Sequence, residues 1–217
     1  MTITATEICV LTAALLACLM VGSLHLRVNL WLYSLSTLCI AAATATSALE
    51  HSESWPIFIA ILIALLKGIA IPKFFSWAID KLHVQRDLGA MVTPPLAMHA
   101  AVLLFALSFI LTKEIPSPAG SVNGWFGAAG GISLVFTGLL LMLTRRLAIS
   151  QIFGFLVIEN GIYIFALTQT NGMPLIVEMG VLLDVLVGVM VSGLLLFKIQ
   201  KSFEHIDVAQ LTQLKEY

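Results

Sequence analysis

Charge is what this chain has least of. Lysine, arginine, aspartate and glutamate make up 11% of its 217 residues, and 59% are hydrophobic. A soluble domain carries roughly 25% charged residues, and the mean hydropathy here is +1.02. Such a composition excludes a water-solvated globule and predicts an all-α, polytopic membrane protein. Basic residues are neither abundant nor clustered. Eleven of them against twelve acidic ones leave a formal charge of −1, with no patch to neutralise phosphates, which excludes nucleic acid as a partner. Cysteine is scarce as well: Cys9, Cys18 and Cys39 stand singly in apolar stretches, with no CxxC and no histidine at ligand spacing. The chain therefore has no set for an iron–sulfur, zinc or nickel–iron centre, and no metal site, cofactor or catalytic residue of its own is assigned. No Lys or Arg precedes the first apolar run, and Glu7 stands at its entrance. That flank is wrong for a cleaved signal peptide, so the run counts as a span.

What is present is long apolar runs. A span needs about 20 residues of low charge, and seven segments qualify: 3–24, 28–49, 55–79, 91–112, 124–143, 147–168 and 174–197. Pro72 and Lys73 are candidate stops in the third, leaving Phe74–Leu82 at the interface. Arg27, then Lys73, Lys81 and Arg86, then Arg145 and Arg146, and finally Lys198 and Lys201 mark one side of the membrane. Glu50, Glu53 and Lys113 with Glu114 mark the other. The basic side is cytoplasmic, so the N-terminus lies outside and the C-terminus inside. Trp31, Trp55 and Trp77 fall at span ends, where aromatic anchors belong. The chain divides into a four-helix region (1–113), an outer loop (114–123), a three-helix region (124–198) and a polar tail (199–217) that lies against a partner, the membrane surface or solvent. Gly127 and Gly131 form a GxxxG pattern, and Gly180, Asp184, Gly188 and Ser192 repeat every fourth residue, which lets a neighbouring backbone approach.

Ionisable residues inside the spans are the candidate site. Glu159 lies roughly 18 Å above the start of the sixth span, Asp184 roughly 21 Å above Lys198, and His99 roughly 12 Å into the fourth. Lys67 is near the centre of the third. A charge at mid-bilayer costs from about 3 to well over 10 kcal/mol, so each is a functional-site candidate. Desolvation and pairing push such groups in opposite directions, and a Lys67–Glu159 or Lys67–Asp184 contact could open and close as a proton arrives. Pro72 frees a backbone carbonyl beside it. A static pair that fixes packing is the bland alternative, and a satisfied core histidine is the bland reading of His99. Glu178, nearer the outer end, is either an exit-path acid or a snorkelling one. Asn160 and Gln151 are polar neighbours that could hold water.

Arg145-Arg146, Gln151-Ile152-Phe153-Gly154, Glu159-Asn160-Gly161, Val177-Glu178-Met179-Gly180, Asp184 and Ile206-Asp207-Val208 with Leu211 resemble component E of hydrogenase-4, a membrane subunit of group 4 energy-converting [NiFe] hydrogenases and formate hydrogenlyases. The resemblance is dense over 145–217 and looser elsewhere. The same third is similar to the K subunit of respiratory complex I and the C subunit of multi-subunit cation/proton antiporters. The K subunit's first intramembrane glutamate would fall at Leu156, whereas this chain carries its acid at Glu159; the second falls on Asp184. These resemblances imply a non-redox membrane subunit of a prokaryotic cytoplasmic-membrane hydrogenase, contributing Lys67, Glu159 and Asp184 to proton or sodium translocation. They also imply partners: antiporter-like and quinone-oxidoreductase-like membrane subunits, and a hydrophilic arm holding the NiFe and Fe–S centres. A purely structural assembly subunit and a stand-alone transporter are the rivals. The latter usually shows an inverted repeat, which is not evident.

Overall fold

The computed structural model describes residues 4–51, 55–81, 86–87, 90–115 and 124–169, together with Gly180 and Gly193. Secondary structure there is helical apart from one antiparallel bridge between His25 and Arg86. The helices are α1 (Ala5–Gly22), α2 (Leu26–His51), α3 (Trp55–Leu65), a π-helical turn (Leu66–Ala70), α4 (Ile71–Lys81), α5 (Pro94–Thr112), α6 (Gly124–Thr144) and α7 (Ala148–Gln169). Six rods among them are long and apolar enough to cross a membrane, α3 to α4 counting as one. The chain is an all-α polytopic membrane protein. These six match the first six expected spans to within a few residues at each end, and the seventh lies outside the described residues.

Local chemistry sets the ends. Thr4 caps α1 through a capping box: its hydroxyl accepts from the Glu7 N–H and the Glu7 carboxylate accepts from the Thr4 N–H. Pro94 and Pro95 open α5, where their missing N–H groups cost nothing, and Thr93 before them is held extended. Pro72 and Lys73, the candidate stops, do not end the third rod, which runs to Lys81 as the 55–79 span requires. The cost of the proline is met locally. The ladder widens at the π turn, where the Ile71 N–H reaches the Leu66 carbonyl five residues back. Pro72 has no N–H for the Gly68 carbonyl, and the Ser34 hydroxyl of α2 donates to it at 2.5 Å.

Packing is closest between α6 and α7. Here glycines let backbones touch: a Cβ on Gly138 would lie 2.5 Å from the Gly154 carbonyl oxygen, and one on Gly161 2.7 Å from that of Gly131. Gly127, in the expected GxxxG pair, faces the Thr168 side chain. In turn α1 packs on α2 and α6, α5 covers α1 and α6, and α2 reaches both α7 and the third rod.

Three connections meet at one end of the bundle. Arg145, 3% exposed, donates through Nη2 to the carbonyls of Val21 at 2.7 Å and Ser23 at 3.0 Å, taking up acceptors left free at the end of α1. The Asp87 N–H donates to the Leu24 carbonyl, and the Met91 N–H to that of Thr144. Burial pushes the Arg145 guanidinium below its ordinary value, and the Asp87 carboxylate opposes that shift. Connections one, three and five thus share a side, as the distribution of Lys and Arg requires.

Gly138→Ala is expected to lower the thermal midpoint of the detergent-solubilised protein, by the roughly 1–3 kcal/mol typical of overpacking. Gly22→Ala should be nearly neutral, because its methyl would meet the flexible end of Met98 at 3.0 Å. Equal effects would show that the α6–α7 backbone contact is not the constraint. A cysteine at the exposed position 146 should react with impermeant maleimide from the cytoplasm, and one at 113 from outside; the reverse would invert the polarity.

Candidate intramembrane ion-pair site

Two of the residues singled out from the sequence meet directly. The Lys67 ammonium lies 2.7 Å from Glu159 Oε1, and the residues are 6% and 4% exposed. Lys67 stands in the π turn, where the helix departs from its regular pitch; such turns are often found at functional sites. Gly68 brings this turn close to α2, where a Cβ would lie 3.0 Å from Leu38 Cδ2. Glu159 is eleven residues above the start of α7, about 16 Å into the rod. The two helices that supply the charges thus present them at similar mid-membrane depth.

Polar groups of α2 bond the residues next to the pair. Ser34 holds the Gly68 carbonyl, and Thr37 accepts a hydrogen bond from Asn160 Nδ2 at 3.0 Å, both residues being buried. About two turns farther along α2, Thr44 and the Tyr163 hydroxyl are 3.1 Å apart. Gly180 also reaches this place: a Cβ there would meet Glu159 Oε1 at 3.7 Å. That contact puts a glycine of the four-residue stripe beside the carboxylate.

The other expected members are elsewhere. His99 projects from the exposed side of α5, a helix that packs on α1 and α6, and its Nδ1 pairs with the Pro95 carbonyl of its own helix at 2.7 Å. The structure therefore does not bring it to the pair. Gln151 is exposed at the start of α7 and donates to the Arg145 carbonyl at 3.2 Å, so it closes the turn and does not border Glu159. Asp184 and Glu178 lie outside the described residues. Leu156, where the K-subunit pattern would put an acid, is fully buried. Sequence reasoning missed Ser34, Thr37, Thr44 and Tyr163. The signal available was the spacing of Ser34, Thr37 and Thr44, where steps of three and seven keep polar groups on adjoining faces of a helix.

Removing one partner of a buried ion pair costs about 3–5 kcal/mol, because the other is left uncompensated, whereas replacing both by apolar groups is often neutral. Lys67→Met and Glu159→Leu should each destabilise the protein by that amount, and the double variant should recover most of it. Denaturant unfolding in detergent measures both. Additive losses would mean that the contact is not an energetic unit.

With the geometry in place, the chain can be set beside known proteins. It is 28% identical over 180 residues to an uncharacterized protein of Mycobacterium tuberculosis, covering 82% of this chain and 80% of the other. It is 27% identical over 192 residues to hydrogenase-4 component E of Escherichia coli K12, covering 87% of each chain, and the same holds for the Shigella flexneri protein of that name. No protein-family model matches the chain, and no solved structure does.

Proposed function

We propose that this protein is a non-redox membrane subunit of an energy-converting hydrogenase resembling complex I, and that it carries part of the proton or sodium path. The buried Lys67–Glu159 pair at mid-depth is the observation that carries this reading. Similarity to hydrogenase-4 component E over 87% of the chain supports the choice of complex.

The chemistry follows from the pair. A proton arriving at Glu159 removes the charge that holds Lys67, and departure of the proton restores it. The π turn gives Lys67 a place where the backbone can change pitch without breaking a regular ladder. Asp184 is assigned as the next acid of the path, since it follows Gly180 by four residues in sequence and Gly180 borders Glu159. Glu178 is assigned to the outer end. Electron transfer belongs to partners holding the NiFe and Fe–S centres. Antiporter-like and quinone-oxidoreductase-like subunits would flank this chain in the cytoplasmic membrane. Coupling would then be electrostatic: charge movement in a neighbour shifts the balance between the paired and neutral states.

A purely structural pair would serve assembly alone, and one experiment separates the two readings. Glu159→Gln and Asp184→Asn keep shape and hydrogen bonding while removing titration. In vesicles bearing the whole complex, both variants should assemble and oxidise donor, yet build a clearly smaller ion gradient per electron transferred. A wild-type ratio in Glu159→Gln would refute the path and leave packing as the role of the pair.

A further inference from the structure

The surroundings of the ion pair differ on its two sides. Outward along the seam of α2 and α7 the neighbours are polar: Thr37 with Asn160, then Thr44 with Tyr163. Toward the cytoplasm three aromatic rings close together instead. Tyr33 of α2 and Phe153 of α7 have ring centroids 6.4 Å apart, and that of Phe75 of α4 lies 4.9 Å from that of Phe153. All three residues are fully buried. They come from the same three rods that build the pair and lie at one level. Tyr33 is about 10 Å, Phe153 about 8 Å and Phe75 about 9 Å from the cytoplasmic ends of their rods, against about 16 Å for Glu159.

Beneath the rings the protein is polar again. Arg145, Asp87, Asn29 and Ser150 are all buried at the cytoplasmic end. Among the described residues, Asn29 Oδ1, Ser150 Oγ and the Nε and Nη1 of Arg145 have no hydrogen-bond partner. Buried polar atoms of this kind are ordinarily met by water, and these atoms all lie on the cytoplasmic side of the rings. A proton passes between hydrogen-bonding groups about 2.6–3.2 Å apart or along water that links them. The rings of Phe75 and Phe153 carry no polar atom and supply neither; the Tyr33 ring stacks on Phe153 and carries the one hydroxyl of the group.

We infer that Phe75 and Phe153, with the Tyr33 ring stacked on Phe153, form the cytoplasmic seal of the ion path. The stack insulates the Lys67–Glu159 pair from the hydrated rim at Arg145 and Asp87, so that the pair communicates outward and exchanges with the cytoplasm only when the rings part. The inference rests on the pair being part of an ion path. It adds which side is closed and which residues close it.

The test uses membrane vesicles bearing the assembled complex, without electron donor, under an imposed pH gradient. Phe153→Ala should speed collapse of the gradient several-fold, Phe153→Leu should not, and adding Glu159→Gln to Phe153→Ala should suppress the extra leak. An assembled Phe153→Ala complex that is as tight as wild type, while Glu159→Gln alone still lowers ion transfer, would overturn the seal and leave the path standing. Should Phe153→Ala fail to assemble, Thr37→Cys in an otherwise intact stack decides the matter. The seal predicts no reaction with an impermeant thiol reagent applied from the cytoplasmic side, and labelling from that side would overturn it.

Discussion

An ammonium and a carboxylate 2.7 Å apart, out of contact with solvent, constrain every helix around them. In hydrocarbon neither charge could find a substitute partner, and the desolvation of each amounts to several kcal/mol even after relaxation. The contact is therefore compatible with one arrangement of α7 against the third rod. It also explains why the third rod tolerates an irregular turn. Lys67 must leave a π-helical segment at the right height and azimuth, and Ser34 and Leu38 of α2 hold that segment in place.

The same demand falls on α7 from its other side. Gly138 with Gly154 and Gly131 with Gly161 bring the α6 and α7 backbones into contact, so α7 cannot rotate without collision. At one end of the bundle Arg145 ties the α6–α7 turn to the end of α1. Glu159 is thus positioned by a backbone contact along its helix and by a guanidinium at the foot of it. Precise placement of one carboxylate needs both, since a helix pinned only at its end can still turn about its axis.

The sequence made depth legible and left azimuth hidden. Hydropathy and the placement of Lys and Arg located six spans to within a few residues, and counting along them put Lys67 and Glu159 at matching levels. Counting could not say which way a side chain points. His99 is embedded in an apolar run as Lys67 is, yet it lies on the outer surface of α5, where its own helix satisfies one ring nitrogen. Gln151 had the right chemistry for a water-holding neighbour and proved to be a turn-closing residue. Pro72 signalled a disturbance, but whether a proline ends a helix depends on a hydroxyl from elsewhere in the fold. Ser34 is 34 residues from the Gly68 carbonyl it satisfies, and no local pattern announces that bond.

Arg145 also bears on how the molecule is made. The carbonyls it satisfies, on Val21 and Ser23, precede it by 124 and 122 residues. At synthesis rates of about 5–20 residues per second, the first hairpin waits about 6–25 s for its guanidinium. During that interval the Ser23 carbonyl has the Asn29 amide, which donates to it at 3.1 Å, while the Val21 carbonyl depends on water. The clasp closes only after five helical rods have emerged, so the early helices remain free to adjust against one another until the last of those connections locks them.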